Sequence, residues 1–373
     1  MDVMNALRPA LPSRRRSPHG SRRGPLRRRA TVAAAAGATA LGLLTLTACG
    51  GGATGAGASG NGTVEVVAAF YPLEFLAKEI GGKHVSVSTL TGPGVEPHDL
   101  EITPRQTARL GEADVAFHLK GLQPAVDDAI AQSGVAKAVD AAELAAAHHA
   151  GEPADGKTAG GDEDTDGHAD EHADGDRHDE HGDEHGDEHG DEHGHDHSGG
   201  ASDPHLWLDP TQYAEVAEGF GKVLAEADPE HAGAYTRNTD ALVKKLTALD
   251  EEFEEGLRDR ATDTFITTHA AFGHLAARYG LDQEAIGGLD PEQEPSPARV
   301  RELHSIARKE KVTTVFFETL VPAGTARTLA GDTGLRTDVL DPLEGITDRS
   351  KGDDYFEVMR ANLAALRKAL GAG

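Results

Sequence analysis

Short apolar runs and amphipathic stretches alternate along most of this chain. Val64–Phe70 (Val-Glu-Val-Val-Ala-Ala-Phe) is nearly continuous in apolar residues, the pattern of a buried strand, and Pro72 then opens a helix to Ile80. Val85–Leu90 alternates and is rich in β-branched residues, a second strand. Thr103 followed by Pro104 combines an N-cap with proline in the first turn, so a helix runs to about Gly111. Asp114–Leu119 reads as a third strand and Leu122–Gln132 as a helix. Strands alternating with helices in this way predict a parallel sheet covered by helices.

The pattern resumes after a long polar interruption. Asp209-Pro210 opens a helix to about Ala227, and Asp228-Pro229 a longer one to about Arg258, with Tyr235, Leu242, Leu246, Leu249, Phe253 and Leu257 at helical spacing. A helix of about thirty residues would span ~45 Å, enough to pass from one lobe to another. A second β/α set follows: strand Phe265–Thr268, helix Ala270–Tyr279, helix Pro297–Lys309, strand Val312–Phe317, helix Ala323–Gly331, strand Thr337–Leu340 and helix Tyr355–Leu370. The predicted fold class is α/β, with two β/α lobes of parallel-rich sheets joined by one long helix. The expected boundaries are 63–227 for the first lobe, 228–260 for the linking helix and 261–373 for the second lobe.

The interruption, residues 148–200, cannot build a packed core. From Ala147 to Gly200 it holds eleven of the twenty histidines, and Asp-Glu-His-Gly repeats almost without error between Asp179 and His193. Neutral imidazoles among carboxylates make a many-sited ligand for borderline metals such as zinc. His178, His181, His185, His189, His193, His195 and His197 are therefore candidate auxiliary ligands on a disordered loop. An acidic linker would have no need of histidine at every fourth position. His181-Gly182-Asp183-Glu184-His185 formally matches a metalloprotease signature, which needs both histidines on one helical face. A glycine every fourth residue and crowded like charges oppose that helix, so no enzyme is expected.

Charge and the first residues add compartment. Nine arginines against Asp2 in the first thirty residues, an apolar stretch from Ala30 to Ala48 and then Cys49 follow the order of an export signal. Leu46-Thr47-Ala48-Cys49 resembles a bacterial lipobox. Residues 1–48 are thus a lipoprotein signal peptide, with Cys49 the lipidated residue and 49–62 a Gly/Ala/Ser tether to the outer face of the cytoplasmic membrane. Whether export uses the general or the twin-arginine route stays open. The net charge is −27 and the signal contributes +8, so the remainder carries −35. Nucleic acid is excluded as a partner by that excess.

Outside the loop, four candidate ligands stand where α/β sheets bind things, beyond strand ends. His98 lies in Gly94-Val95-Glu96-Pro97-His98-Asp99, His205 in His205-Leu206-Trp207-Leu208-Asp209-Pro210, His269 after Phe265–Thr268, and Asp341 after Leu340. Three imidazoles and a carboxylate suit Zn²⁺, whereas manganese favours more oxygen ligands. These pieces, with Thr268-His269-Ala270-Ala271-Phe272-Gly273, Glu294-Pro295-Ser296-Pro297 and Leu340-Asp341-Pro342-Leu343, make the chain from about Val64 to Leu370 resemble the zinc-binding solute-binding proteins of bacterial ABC importers. The resemblance implies a metal site in a cleft between the lobes, with His98, His205 and His269 as ligands. It makes Asp341 the fourth ligand, with Glu96 or water as alternatives. It further implies a monomeric receptor that hands Zn²⁺ to an ABC permease and its ATPase. Manganese members of the family typically have glutamate where His269 stands and lack the His-rich loop. A surface zinc buffer or adhesin on the same fold, or a manganese-binding member, is the alternative.

The 150–200 segment, as an isolated peptide, is expected to bind several zinc ions weakly at about pH 7.5 and to lose them at about pH 5.5, because protons compete for neutral imidazole. Calorimetry at the two values checks this, and equal binding at both would assign the metal to carboxylates.

Overall fold

The computed structural model describes residues 62–151 and 203–373. The expected export signal, Cys49 and most of the tether lie outside the described residues, as do the loop histidines His178, His181, His185, His189, His193, His195 and His197.

The first sheet contains β1 (Val64–Ala68), β2 (Val85–Thr89), β3 (Val115–His118) and β4 (Lys137–Asp140), all parallel, in the order β2-β1-β3-β4. Around it run α1 (Tyr71–Gly81), α2 (Pro104–Glu112), α3 (Pro124–Ser133) and α4 (Ala141–Gly151). The second sheet repeats the topology with β5 (Thr264–Thr267), β6 (Asp282–Ala285), β7 (Thr314–Phe317) and β8 (Arg336–Val339), in the order β6-β5-β7-β8 and again parallel. Its helices are α7 (Gly273–Tyr279), α8 (Pro297–Lys309), α9 (Gly324–Thr333) and α10 (Tyr355–Leu370). Between the sheets lie α5 (Pro210–Ala227) and the long α6 (Ala232–Gly256). In each sheet the order reverses beside the first strand, and such switch points open a crevice at the carboxyl ends. Among the described residues no helix is long and apolar enough to cross a membrane.

Three differences from the sequence reading have local causes. β4 and β6 went unseen because Lys-Ala-Val-Asp and Asp-Gln-Glu-Ala are polar edge strands, half-covered and without apolar alternation. α4 extends to Gly151, so the backbone of residues 148–151, assigned to the loop, is helical. The long helix starts at Ala232 instead of Pro229. Asp228 Oδ2 binds His231 Nδ1 at 2.7 Å and the Tyr235 hydroxyl at 2.8 Å, which closes a turn before the helix begins. At 25 residues it spans ~37 Å.

One hydrophobic core serves both lobes. It runs from Val64 and Phe70 through Tyr213, Leu246 and Phe253 to Phe265, Tyr355 and Leu370. A smaller cluster takes the opposite face of the second sheet: Ile266 and Val315 point to it, while their neighbours Phe265 and Phe316 point to the shared core. Where the lobes meet, buried polar tips are tied across. Tyr355 donates to the Trp207 carbonyl at 2.7 Å and Trp207 Nε1 to that of Pro342 at 2.7 Å, while within the first lobe Tyr213 donates to the Pro72 carbonyl at 2.6 Å. Phe75 of α1 stacks on Tyr355 of α10 with centroids 5.6 Å apart. Arg360 of α10 holds Glu252 of α6 with two bonds, at 2.7 and 2.9 Å.

A shared core predicts one unfolding event. Trp207 emission and far-UV circular dichroism should report coincident denaturant transitions; two separated transitions would mean that the lobes unfold independently. Tyr355→Phe should lower stability by about 1–3 kcal/mol, since it strands the buried Trp207 carbonyl.

Candidate metal centre

Four loops bring side chains to one buried point between the sheets. His98 follows β2 in a Gly/Pro-rich turn, with Gly94 at φ +74°. Glu96 Oε1 accepts the His98 N–H at 3.1 Å and folds that turn inward. His205 precedes a 3₁₀ turn, Leu206–Leu208, whose three side chains are buried. Asp203 Oδ1 accepts the N–H of His205 at 2.9 Å and its Nδ1–H at 2.7 Å. His269 stands two residues past β5, where its carbonyl accepts the Thr267 hydroxyl at 2.7 Å and the Gln283 amide at 3.1 Å. Its Nδ1 lies 2.6 Å from Glu318 Oε1, at ion-pair distance. The fourth residue is Glu344, on the loop after β8.

Three ring nitrogens aim at one oxygen. Glu344 Oε1 is 3.1 Å from His98 Nε2, 3.2 Å from His205 Nε2 and 3.5 Å from His269 Nε2. A tetrahedron with ligands about 2.0–2.1 Å from its centre has edges of about 3.3–3.4 Å, so these three separations are those of a zinc cage. All four ligand atoms lie within 4.8 Å of one another, and an ion would draw the imidazoles together from there. Among the described residues this is the one group of His, Cys, Asp or Glu close enough to hold a metal. His205, His269 and Glu344 are fully buried, and His98 keeps slight exposure, so access is from its side.

The electrostatics follow from burial against pairing. Burial pushes the Glu344 carboxyl up, but hydrogen bonds from His205 and His98 and the nearby His269 ring outweigh it and hold the group well below the usual carboxylate range. Burial lowers His269, while Glu318 and Glu344 reverse that and raise it well above the usual imidazole value. His205 is raised in the same way, with Asp203 and Glu344 overcoming burial. Burial, and then the Glu344 charge, push Glu96 up to about 8.

The structure brings three of the expected residues together with Glu344, which the sequence reading did not name. Asp341 does not join the histidines. Its Oδ1 accepts the Leu343 N–H at 2.9 Å and its Oδ2 the Thr319 hydroxyl at 3.2 Å, while Asn362 pins its backbone from both sides. Asp341 therefore builds the turn that delivers Glu344. Leu343 completes it at φ +60°, a strained conformation for a branched residue. The signal available in the sequence was the second acid in Asp341-Pro342-Leu343-Glu344: aspartate beside proline favours turn formation, which leaves the glutamate free. Glu96, the other acid considered, has one oxygen on the His98 turn and lies outside the group of four. Trp207 packs beside His205 as expected, with centroids 5.1 Å apart.

Residues 66–369 match the family described as zinc-uptake complex component A, periplasmic. The chain belongs to this family. It is 32% identical over 314 residues to the zinc-binding lipoprotein AdcA of Streptococcus pneumoniae, covering 83% of this chain and 56% of the relative. It is also 32% identical over 318 residues to the high-affinity zinc uptake system protein ZnuA of Bacillus subtilis, covering 82% and 88%. The chain thus spans little more than half the length of the AdcA relative. Among solved structures, the Zn(II)-bound ZnuA-like domain of S. pneumoniae AdcA superposes with a TM-score of 0.61 at 28% identity, covering 83% of this chain and 99% of that one. The laminin-binding protein Lmb of Streptococcus agalactiae, titled a bifunctional protein with adhesin and metal transporting activity, gives 0.63 at 28%, covering 82% and 99%. The family is one of solute-binding receptors.

Glu344→Gln should weaken zinc binding by at least about a hundredfold, because it removes the one anionic ligand where outer contacts alone are worth about 10–100-fold. Asp341→Asn should act less on affinity than on melting temperature, since it loosens the turn and keeps the ligand. Competition titration against a chromophoric chelator, paired with thermal melts, separates the two.

Proposed function

We propose that this chain is an exported zinc receptor that captures Zn²⁺ outside the cytoplasmic membrane and hands it to an ABC permease driven by its ATPase. The convergence of three imidazole Nε2 atoms on one buried carboxylate oxygen, at separations a tetrahedral zinc site requires, carries the reading. The ligands are His98, His205, His269 and Glu344. The AdcA and ZnuA names of the relatives support zinc as cargo. Three nitrogens against one oxygen disfavour manganese, which prefers oxygen-rich sites.

Cys49 carries the lipid that tethers the receptor to the membrane, and the protein acts as a monomer. The lobes run 63–227 and 261–373, with 228–260 as the link. The histidines of residues 148–200 form an auxiliary store of weakly bound zinc. An adhesin role draws on the likeness to the laminin-binding protein alone and on no feature of this chain.

The test is a zinc titration of protein lacking residues 152–200, followed by emission of Trp207, the one tryptophan. One tight equivalent should remain without the loop, and His269→Ala should abolish it. Loss of the tight site on loop deletion would make the loop the receptor and overturn the reading.

A further inference from the structure

We infer that Gly273 and His274, at the start of α7, position His205 for metal capture by holding Asp203. This rests on the zinc reading of the centre. Asp203 takes two hydrogen bonds from His205, which together set the ring's plane and its tautomer. With the hydrogen held on Nδ1 by Asp203, Nε2 is the nitrogen that gives up its proton and turns its lone pair to the metal position beside Glu344 Oε1. Asp203 must itself be fixed for this to work, and α7 of the second lobe fixes it.

Two features of α7 do so. A Cβ placed on Gly273 would stand 2.5 Å from Asp203 Oδ2, so the carboxylate occupies the space that any other side chain would claim. His274 Nε2 donates to the Asp203 carbonyl at 3.0 Å. The tautomer of His274 is determined in turn, because its Nδ1 accepts from Gln212 Nε2 at 3.0 Å. That amide's second hydrogen goes to Asp209 Oδ2 at 3.1 Å, and Asp209 caps α5 through the Thr211 N–H. A continuous relay therefore runs from the α5 cap through Gln212, His274 and Asp203 to the ligand. Each donor has an acceptor along it. Metal ligands whose second nitrogen is so held lose about 10–100-fold in affinity when the partner is removed.

The experiment compares mature wild-type protein with Gly273→Ala, His274→Ala and His274→Gln. The readouts are zinc affinity by chelator competition, the visible spectrum of the Co²⁺-loaded protein, and melting of the metal-free state. Gly273→Ala and His274→Ala should each weaken zinc about tenfold, the low end of that range, and alter the cobalt bands that report ligand geometry. His274→Gln, whose side-chain amide reaches the same carbonyl, should restore both. His118→Ala, whose ring instead meets Asp127 at 3.1 Å, serves as control and should lower melting while leaving the cobalt spectrum unchanged. Unaltered affinity and spectrum in both alanine variants would overturn the inference, as would equal losses in His274→Gln and His274→Ala. Wild-type protein that binds no zinc would instead remove the reading of the centre, and this inference with it.

Discussion

A carboxylate with no access to water, surrounded by three imidazoles, is the constraint around which this protein is arranged. Burying an anion such as Glu344 is strongly unfavourable unless charge and hydrogen bonds replace its lost hydration. The three Nε2 positions supply that replacement, and a divalent cation supplies it better. The vicinity adds further acids: Glu96 beside His98, Asp203 on His205 and Glu318 against His269. Asp203 and Glu318 meet the Nδ1 side of their rings, away from the central oxygen, so their charge steadies the imidazoles, whereas burial and the Glu344 charge push Glu96 up to about 8.

Such a centre demands that its four loops keep their relative positions, and the shared core meets that demand. One apolar cluster contains the first lobe together with α6 and α10. The Trp207–Pro342 and Tyr355–Trp207 hydrogen bonds tie the segment carrying His205 to the loop and helix that flank Glu344. A tight turn strained at Leu343 persists because Asp341, Thr319 and Asn362 determine it from several directions at once.

The fold was legible where burial writes itself into pattern. α5, α8 and α10 begin as read because Asp209, Ser296 and Asp354 are N-caps with their side chains on backbone N–H groups. Central strands such as Val64–Ala68 and Thr314–Phe317 are nearly all buried and so nearly all apolar. β4 and β6 are edges, where Lys137 or Asp282 costs nothing. The site was legible to the extent that His98 and His269 stand in loops after strands and His205 just before a capped helix. The fourth residue of the cluster was not, because Asp341 and Glu344 differ by three positions and by what the local backbone asks of them. Only the folded turn shows that the first is consumed by Leu343 and Thr319 and that the second is free. The cradle at Gly273 is likewise invisible without coordinates, since it depends on a residue seventy positions away.

The donor set also decides which abundant ions are refused. Calcium seeks about six to eight oxygens at 2.3–2.6 Å, and magnesium gives up its octahedral water shell with reluctance. This centre offers either ion a dry enclosure with a single well-placed oxygen and three nitrogens, a poor exchange for hydration. Either ion is thus poorly matched to this donor set alone. The refusal is written in the chemistry of four side chains, and it works however wide the entrance beside His98 stands.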